Sequence, residues 1–280
     1  EQENFVLMFK DEARINAELQ HNKIAQVYEF GQCEDEYFIA MEYIPGVDLR
    51  VLQKELAKQA KGLPIRITLR ILADVCEALD YAHTRLDTYG RQMNVVHRDV
   101  NPRNIMISIR GEVKLIDFGV AKADNRLDKT VGHTLKGKFA YMSPEQIEGK
   151  MVDGRADLFA VGLTLHELVD GRRPFVGLNE VQIMHRILSG NIPTLMGPKD
   201  HPQPELVQAI HECSLSTDAK GRYPTAGHMR EAFEHAAKPI GGLANNSEMA
   251  EFLRDIMPSE TASIAYRLDK YRKESTQPNG

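Results

Sequence analysis

Residues 65 to 85, IRITLRILADVCEALDYAHTR, place Leu69, Leu72, Val75, Cys76 and Leu79 on one apolar stripe of a helix. A helix with such a stripe needs a partner surface, so the chain must supply a helical body to receive it. Further helical patterns follow at 157 to 169, 179 to 188, 204 to 213 and 225 to 237, separated by turns containing Pro and Gly. The opening is different. After a helical pattern over 9 to 21, IAQVYEFG (24 to 31) and EYFIAMEYI (36 to 44) flank the polar QCEDE and read as an antiparallel hairpin, closed by Pro45 and Gly46, which start a connector. A second small hairpin is predicted at 104 to 117, where Ile105, Ile107 and Ile109 alternate with Met106 and Ser108 before Arg110 and Gly111. The pattern is a strand-rich beginning followed by a helical body. Beyond Lys238, PIGGLANNS reads as a linker, and SEMAEFLRDIM as an amphipathic helix capped by Ser247.

Bulk composition narrows the function classes. With 280 residues and 42% hydrophobic content, the chain can build real cores. A net charge of -5 argues against nucleic acid or an anionic membrane as the main partner. Cys33, Cys76 and Cys213 are far apart with no C-x-x-C pair, which suggests neither a disulfide framework nor a zinc site and points to a reducing cytoplasm. The longest apolar run, LFAVGLTL at 158 to 165, is far short of the roughly 20 residues of a membrane helix. The start carries no signal-peptide pattern.

Four short signals then occur in one order: HRDVNPRN at 97 to 104, DFG at 117 to 119, SPE at 143 to 145, and DLFAVGLTLHEL at 157 to 168 followed by Arg222. A lone DFG is more often a turn than a metal site, and a lone HRD is common by chance. Their joint order is the informative feature. On these residues the chain resembles the catalytic domain of the eukaryotic-like serine/threonine protein kinases, most of all the bacterial members, over about residues 9 to 237.

That resemblance implies an α+β, protein-kinase-like two-lobed fold: a truncated, β-rich small lobe over 1 to 44, a mainly helical large lobe over 45 to 237, and a linker with a helical tail over 238 to 280. It implies transfer of the ATP γ-phosphate to Ser or Thr hydroxyls of protein substrates. Asp99 corresponds to the catalytic base, and Asn104 and Asp117 to the ligands of magnesium, which prefers hard oxygen donors. An Asn at the start of a hairpin also serves as a turn cap, which is compatible with ligation. His97 and Phe118 correspond to packing residues. Met106 would lie under adenine, although an ordinary core methionine is the plain alternative. Met41 matches the gatekeeper, the Glu42 carbonyl and the Ile44 N–H would meet the adenine edge, and Asp48 would reach the ribose. Glu145 and Arg222 are expected to pair, and Asp157 to tie its helix to the backbone at His97 and Arg98. Arg98 would face a phosphate if Thr130 or Thr134 were phosphorylated.

The chain also departs from the family pattern. It has no G-x-G-x-x-G and no V-A-I-K-like strand, although Glu12 matches the helix glutamate that such a lysine pairs with. Lys10 lies too near Glu12 on the same helix to replace it. Two readings are open: a segment of a longer, active kinase, which Glu12 in its DEAR context favours, or a pseudokinase that docks partners without catalysis. Retention of Asp99, Asn104 and Asp117 speaks against the second. A small-molecule phosphotransferase is disfavoured by the SPE segment. Asn101 occupies a position usually held by Lys, and Lys138 one usually held by Thr, so the Lys138 ammonium is a candidate to supply the displaced charge; the alternative is a solvated surface lysine. Asn16 replaces an apolar residue expected against Phe118, which suggests a regulatory partner or dimer acting through the small lobe, or else simply a partly exposed, satisfied side chain.

Overall fold

The computed structural model describes residues 18–34, 36–87, 89–118, 138–198 and 200–275. The first hairpin pairs β1 (Val27–Cys33) with β2 (Glu36–Met41), running from Val27 opposite Met41 to Cys33 opposite Glu36. It is tighter than the sequence suggests. Gln32 and Cys33, expected in the loop, pair with Tyr37 and Glu36, and Glu34 turns the chain with a φ of 53°. Ile24, expected in the strand, lies outside it, buried and bridged to Leu115.

A three-stranded sheet follows in the order β3 (Gly46–Asp48), β4 (Ile105–Ser108) and β5 (Val113–Leu115), all antiparallel. Residues 46 to 48 were expected to be connector. They form a strand because pairing with β4 overrides a weak local preference. Gly46 is required there, since a Cβ would fall 2.0 Å from the Ile107 carbonyl oxygen. The alternation in β4 is as expected: Ile105 and Ile107 are buried in the core, and Met106 is half-buried on the other face.

The helical body is built from α1 (Leu49–Lys58), α2 (Ile65–His83), the short α3 (Pro144–Ile147), α4 (Arg155–Asp170), α5 (Glu180–Leu188), α6 (Pro204–Ser214) and α7 (Ala226–Ala237). Helix α2 packs on α7, on α4 and on β5, and so buries Ile67, Thr68 and Asp74 as well as the predicted stripe. Helix α4 is buried from Ala156 through Leu168, as expected of a helix apolar on all sides. It approaches α6 closely at Gly162, where a Cβ would lie 2.3 Å from Ser214 Oγ.

The tail differs from its sequence reading. Helix α8 (Asn246–Ile256) is capped by Asn245, not Ser247: the Asn245 side chain accepts from Glu248 N at 3.0 Å, and the Glu248 carboxylate accepts from Asn245 N at 2.8 Å. Ser247 shares the preference of Asn for caps, but only from position 245 does the reciprocal glutamate fall three residues on. The preceding glycine-rich stretch is held down. Arg66 donates to the Gly242 carbonyl, Arg70 donates to Asn246 Oδ1 and to the Ala244 carbonyl, and Arg66 also pairs with Glu248. Met249, Leu253 and Ile256 join the main core, and α9 (Pro258–Ser275) continues beyond.

Two buried histidines join α4 to α6, His166 Nδ1 lying 3.0 Å from His211 Nε2. Burial, reinforced by the neighbouring His166, lowers His211 to about 3. The folded protein therefore keeps His211 neutral at pH values where the unfolded chain, near 6.5, takes up a proton. This contribution is complete above the unfolded value and is lost as the pH falls from about 6.5 towards about 3, with a slope of about 1.4 kcal/mol per pH unit for one proton. Urea melts between about pH 7 and about pH 5 should show that decline. His211→Gln should flatten it, and equal slopes in the two proteins would count against the assignment.

Candidate active site

The loop from His97 to Asn104 hangs between α2 and β4, and a buried carboxylate sets its shape. Asp157, in the first turn of α4, accepts from His97 N at 2.8 Å, from Arg98 N at 2.7 Å and from His83 Nε2 at 2.8 Å. Burial pushes the Asp157 carboxyl upward; the hydrogen bond and charge of His83, with those of His97, outweigh it and hold the group below the usual carboxylate range. Arg98 can then keep a left-handed φ of 66°, costly for a residue with a Cβ. Below it, the His97 ring packs on Phe118 with centroids 4.6 Å apart and places Nε2 3.0 Å from the Ile116 carbonyl.

Asp99 is half-buried at the centre of this loop. Asn104 Nδ2 donates to the Asp99 carbonyl at 2.8 Å and lies 3.4 Å from Asp99 Oδ2. That leaves the amide oxygen of Asn104, on the far side of the group, as its acceptor. Asn101 serves the loop backbone, donating to the Asp99 carbonyl at 2.9 Å and accepting from Arg103 N at 2.9 Å. Ile116 N donates to the Asn104 carbonyl at 2.9 Å, which brings the next residue, Asp117, to the same end of the sheet, exposed and with a left-handed φ of 60°.

Among the described residues no group of three or more His, Cys, Asp or Glu is arranged to hold a metal ion. The donors present still fit magnesium, which is commonly held by one or two protein oxygens, water and substrate phosphates. Asn104 and Asp117 would supply those oxygens.

On the other side of the cleft, Met41 ends β2, Ile44 is buried, and Met106 stands opposite Asp48 across the β3–β4 ladder. The Glu42 side chain is engaged within the protein: its carboxylate pairs with Lys114 Nζ at 2.7 Å and accepts from Gln26 N at 3.2 Å. Asp48 has a structural task that the sequence reading missed, as the N-cap of α1, accepting from Val51 N at 2.9 Å. Lys138 opens the turn Lys138–Tyr141, but its side chain lies outside the described residues. Glu12, Asn16, Thr130 and Thr134 lie outside them altogether.

The SPE segment is anchored as expected. Arg222 holds Glu145 with two bonds of 2.7 and 2.8 Å, donates to the Arg155 and Ser216 carbonyls, and stacks 4.9 Å over Phe159. Burial pushes Glu145 upward; the hydrogen bonds and charge of Arg222 outweigh it and keep the carboxyl ionised. Gln146 links the segment to the loop by donating to the Arg98 carbonyl at 3.1 Å. A second buried network was missed: Glu167 of α4 meets both Arg50 of α1 and Tyr141, and Arg50 also donates to Tyr141 Oη at 2.8 Å. A glutamate inside the apolar run of α4 was the available signal, because a buried charge demands a partner.

A small β-rich part followed by a helical body, with the loop of Asp99 and Asn104 entering β4, is the architecture of the protein-kinase-like fold. The chain belongs to the protein kinase family: the family model described as "Protein kinase domain" matches residues 2–260. It is 40% identical over 233 residues to the tyrosine-protein kinase MasK of Myxococcus xanthus, a match covering 82% of this chain and 36% of that protein. It is 33% identical over 276 residues to the probable serine/threonine-protein kinase SCO3848 of Streptomyces coelicolor, covering 95% of this chain and 39% of the relative. The serine/threonine-protein kinase PknB of Mycolicibacterium smegmatis is 35% identical over 234 residues, covering 81% and 35%. The crystal structure of the Mycobacterium tuberculosis PknI kinase domain, a double mutant, superposes with a TM-score of 0.61 at 26% identity, covering 83% of this chain and 79% of that one. The chain thus spans little more than a third of the length of these curated relatives.

Asp157→Asn removes one of the two oxygens that the loop N–H groups and His83 share, and sets an amide N–H₂ against donors. Hydrogen bonds to a charged group contribute about 1.5–3 kcal/mol each, so the variant should unfold about 3 kcal/mol more easily in urea. A loss under about 0.5 kcal/mol would show that the loop does not depend on this carboxylate.

Proposed function

We propose that this chain carries the base and metal half of a serine/threonine protein kinase, working within a longer protein. The observation that carries the reading is Asp99 held beside Asn104 on a loop whose backbone Asp157 fixes. Asp99 accepts the proton of the substrate hydroxyl as its oxygen bonds to the γ-phosphorus of ATP and the bond to the leaving phosphate oxygen breaks. Asn104 and Asp117 would hold magnesium, which when bound neutralises charge on the phosphate oxygens. Met41, the Glu42 carbonyl, the Ile44 N–H, Asp48 and Met106 would bind the nucleoside, and Glu12 would orient a lysine supplied from upstream.

Serine and threonine are favoured as acceptors by the FAYMSPE segment and by two relatives that are named serine/threonine-protein kinases, while MasK, named a tyrosine-protein kinase, makes tyrosine the outcome to exclude. A regulatory partner or second copy meeting residues 1 to 44 belongs to the same proposal, supported by Tyr28 and Phe38 exposed on the first hairpin. The pseudokinase reading requires the Asp-Asn-Asp set to be idle.

Magnesium-dependent transfer of labelled phosphate from ATP to protein by the longer polypeptide tests the reading. Asp99→Asn should lower kcat about a hundredfold to ten-thousandfold with nucleotide affinity little changed. Acid hydrolysis of the product should yield phosphoserine or phosphothreonine. Transfer that is indifferent to Asp99, or phosphotyrosine alone, would overturn it.

Lys138 in the same proposal supplies the charge absent at Asn101, whose side chain is engaged with the loop backbone. Lys138→Met in the longer enzyme should reduce kcat by about tenfold or more while leaving KM for ATP near its parent value. An unchanged kcat would return Lys138 to the surface.

A further inference from the structure

Beside the SPE segment lies a groove of about 790 Å³ between α1 and the stretch from Gly171 to Ile183. Two contacts fix its position relative to the loop. Arg50 N at its edge donates to the Pro102 carbonyl at 3.0 Å, and Ala140 of the turn that leads into SPE forms part of its lining.

The groove is more cationic than the chain as a whole. Arg50, Lys54, Arg172 and Arg173 line it against Glu167 and Glu180, a balance of four cations to two carboxylates in a chain of net charge -5. Glu167 is already committed to Arg50 and Tyr141 at the base. Arg173 reaches that carboxylate only at 3.9 Å, Arg172 donates to the Met196 sulfur, and Lys54 is exposed. Three positive side chains therefore line the groove beside Glu180, a carboxylate in no ion pair among the described residues.

Its apolar parts are unevenly covered. Phe175 is buried at the base, but Val176 and Val181 on the rim are 69% and 70% exposed. Two polar atoms in the α1 wall, Arg50 Nε and Gln53 Oε1, are buried without a hydrogen-bond partner among the described residues. Unmet groups of this kind mark a wall that a ligand could complete.

We propose that this groove selects an acidic segment of the protein substrate, an extended peptide with carboxylates for Lys54, Arg172 and Arg173 and an aliphatic side chain for the Val176 and Val181 rim. Charge complementarity assigns the occupant: a basic peptide would meet three like charges, and a purely apolar one would leave them unpaired. The inference rests on the kinase reading for its biological meaning, but binding itself requires no phosphoryl transfer.

Fluorescence anisotropy of the full chain with a labelled peptide rich in Glu and Leu, and with its Lys-and-Leu counterpart, separates the possibilities. The acidic peptide should bind and weaken with added salt, as solvent-exposed charges do. The triple variant Lys54→Glu, Arg172→Glu, Arg173→Glu should weaken that Kd about tenfold or more, equivalent to about 1.4 kcal/mol, and improve binding of the basic peptide. Lys220→Glu, an exposed position outside the groove, should change neither. If the triple variant does not melt cooperatively, Arg172→Glu alone should still move the two affinities in opposite directions. Equal binding of the two peptides, or an acidic-peptide Kd indifferent to both the triple and the single reversal, would overturn the inference. An acidic peptide that carries serine and threonine and binds here, with a longer protein that transfers phosphate from ATP neither to it nor to any other protein, would keep the groove and defeat the kinase reading. Phosphorylation equally efficient for acidic and basic substrates would do the reverse.

Discussion

The structure depends on one buried carboxylate. Asp157 leads α4, buried from Ala156 through Leu168, and gives its oxygens to the backbone of a loop some 60 residues earlier in the chain. A charge without access to water is stable only when its acceptors are filled, and here two backbone N–H groups and an imidazole fill them. The strained backbone at Arg98 and the placement of Asp99 follow from that arrangement. The loop takes its shape from its ties to α4, a buried core helix, rather than from its own sequence.

The same logic recurs at two other buried charges. Glu145 and Arg222 fasten the SPE segment to the body, and Glu167 gathers Arg50 and Tyr141. Each joins elements far apart in sequence, so each closes a long loop and restricts how the segments around Asp99 can rearrange. The SPE segment is thus held from three sides, by Gln146 at the loop, Arg222 at the body and Tyr141 at α1 and α4.

Much of this was legible in the sequence, for identifiable reasons. Helical periodicity gave α2, α4, α5, α6 and α7 to within a residue or two at nearly every end, because their apolar stripes are set by burial. The Asp157 tether and the Arg222 pair were expected from the resemblance to the kinase family, and both are present. What the sequence did not disclose is contact between residues with no local signature. Residues 46 to 48 have no strand pattern and become a strand only because Ile107 lies opposite. Arg50 reads as a surface arginine until Glu167, 117 residues away, is placed beneath it. Glu42 looked like an anonymous residue beside a nucleotide edge until Lys114 fixed its side chain elsewhere. The tail misled for the opposite reason: its glycines look like slack, and the grip of Arg66 and Arg70 on the carbonyls around them cannot be read from the tail itself.

That grip has a mechanical consequence. A Cβ on Gly111, in the turn between β4 and β5, would fall 1.9 Å from the carbonyl oxygen of Asn246, so the start of α8 sits directly on the hairpin that begins at Asn104. Tension applied to the chain beyond Ser275 would pass through α9 to α8, first to Gln59 at the end of α1, which donates to the Ile256 carbonyl at 2.8 Å, and then to Arg66, Arg70 and this turn. The tail braces the β4–β5 turn and is coupled, by contact rather than by sequence, to the strand that carries Met106.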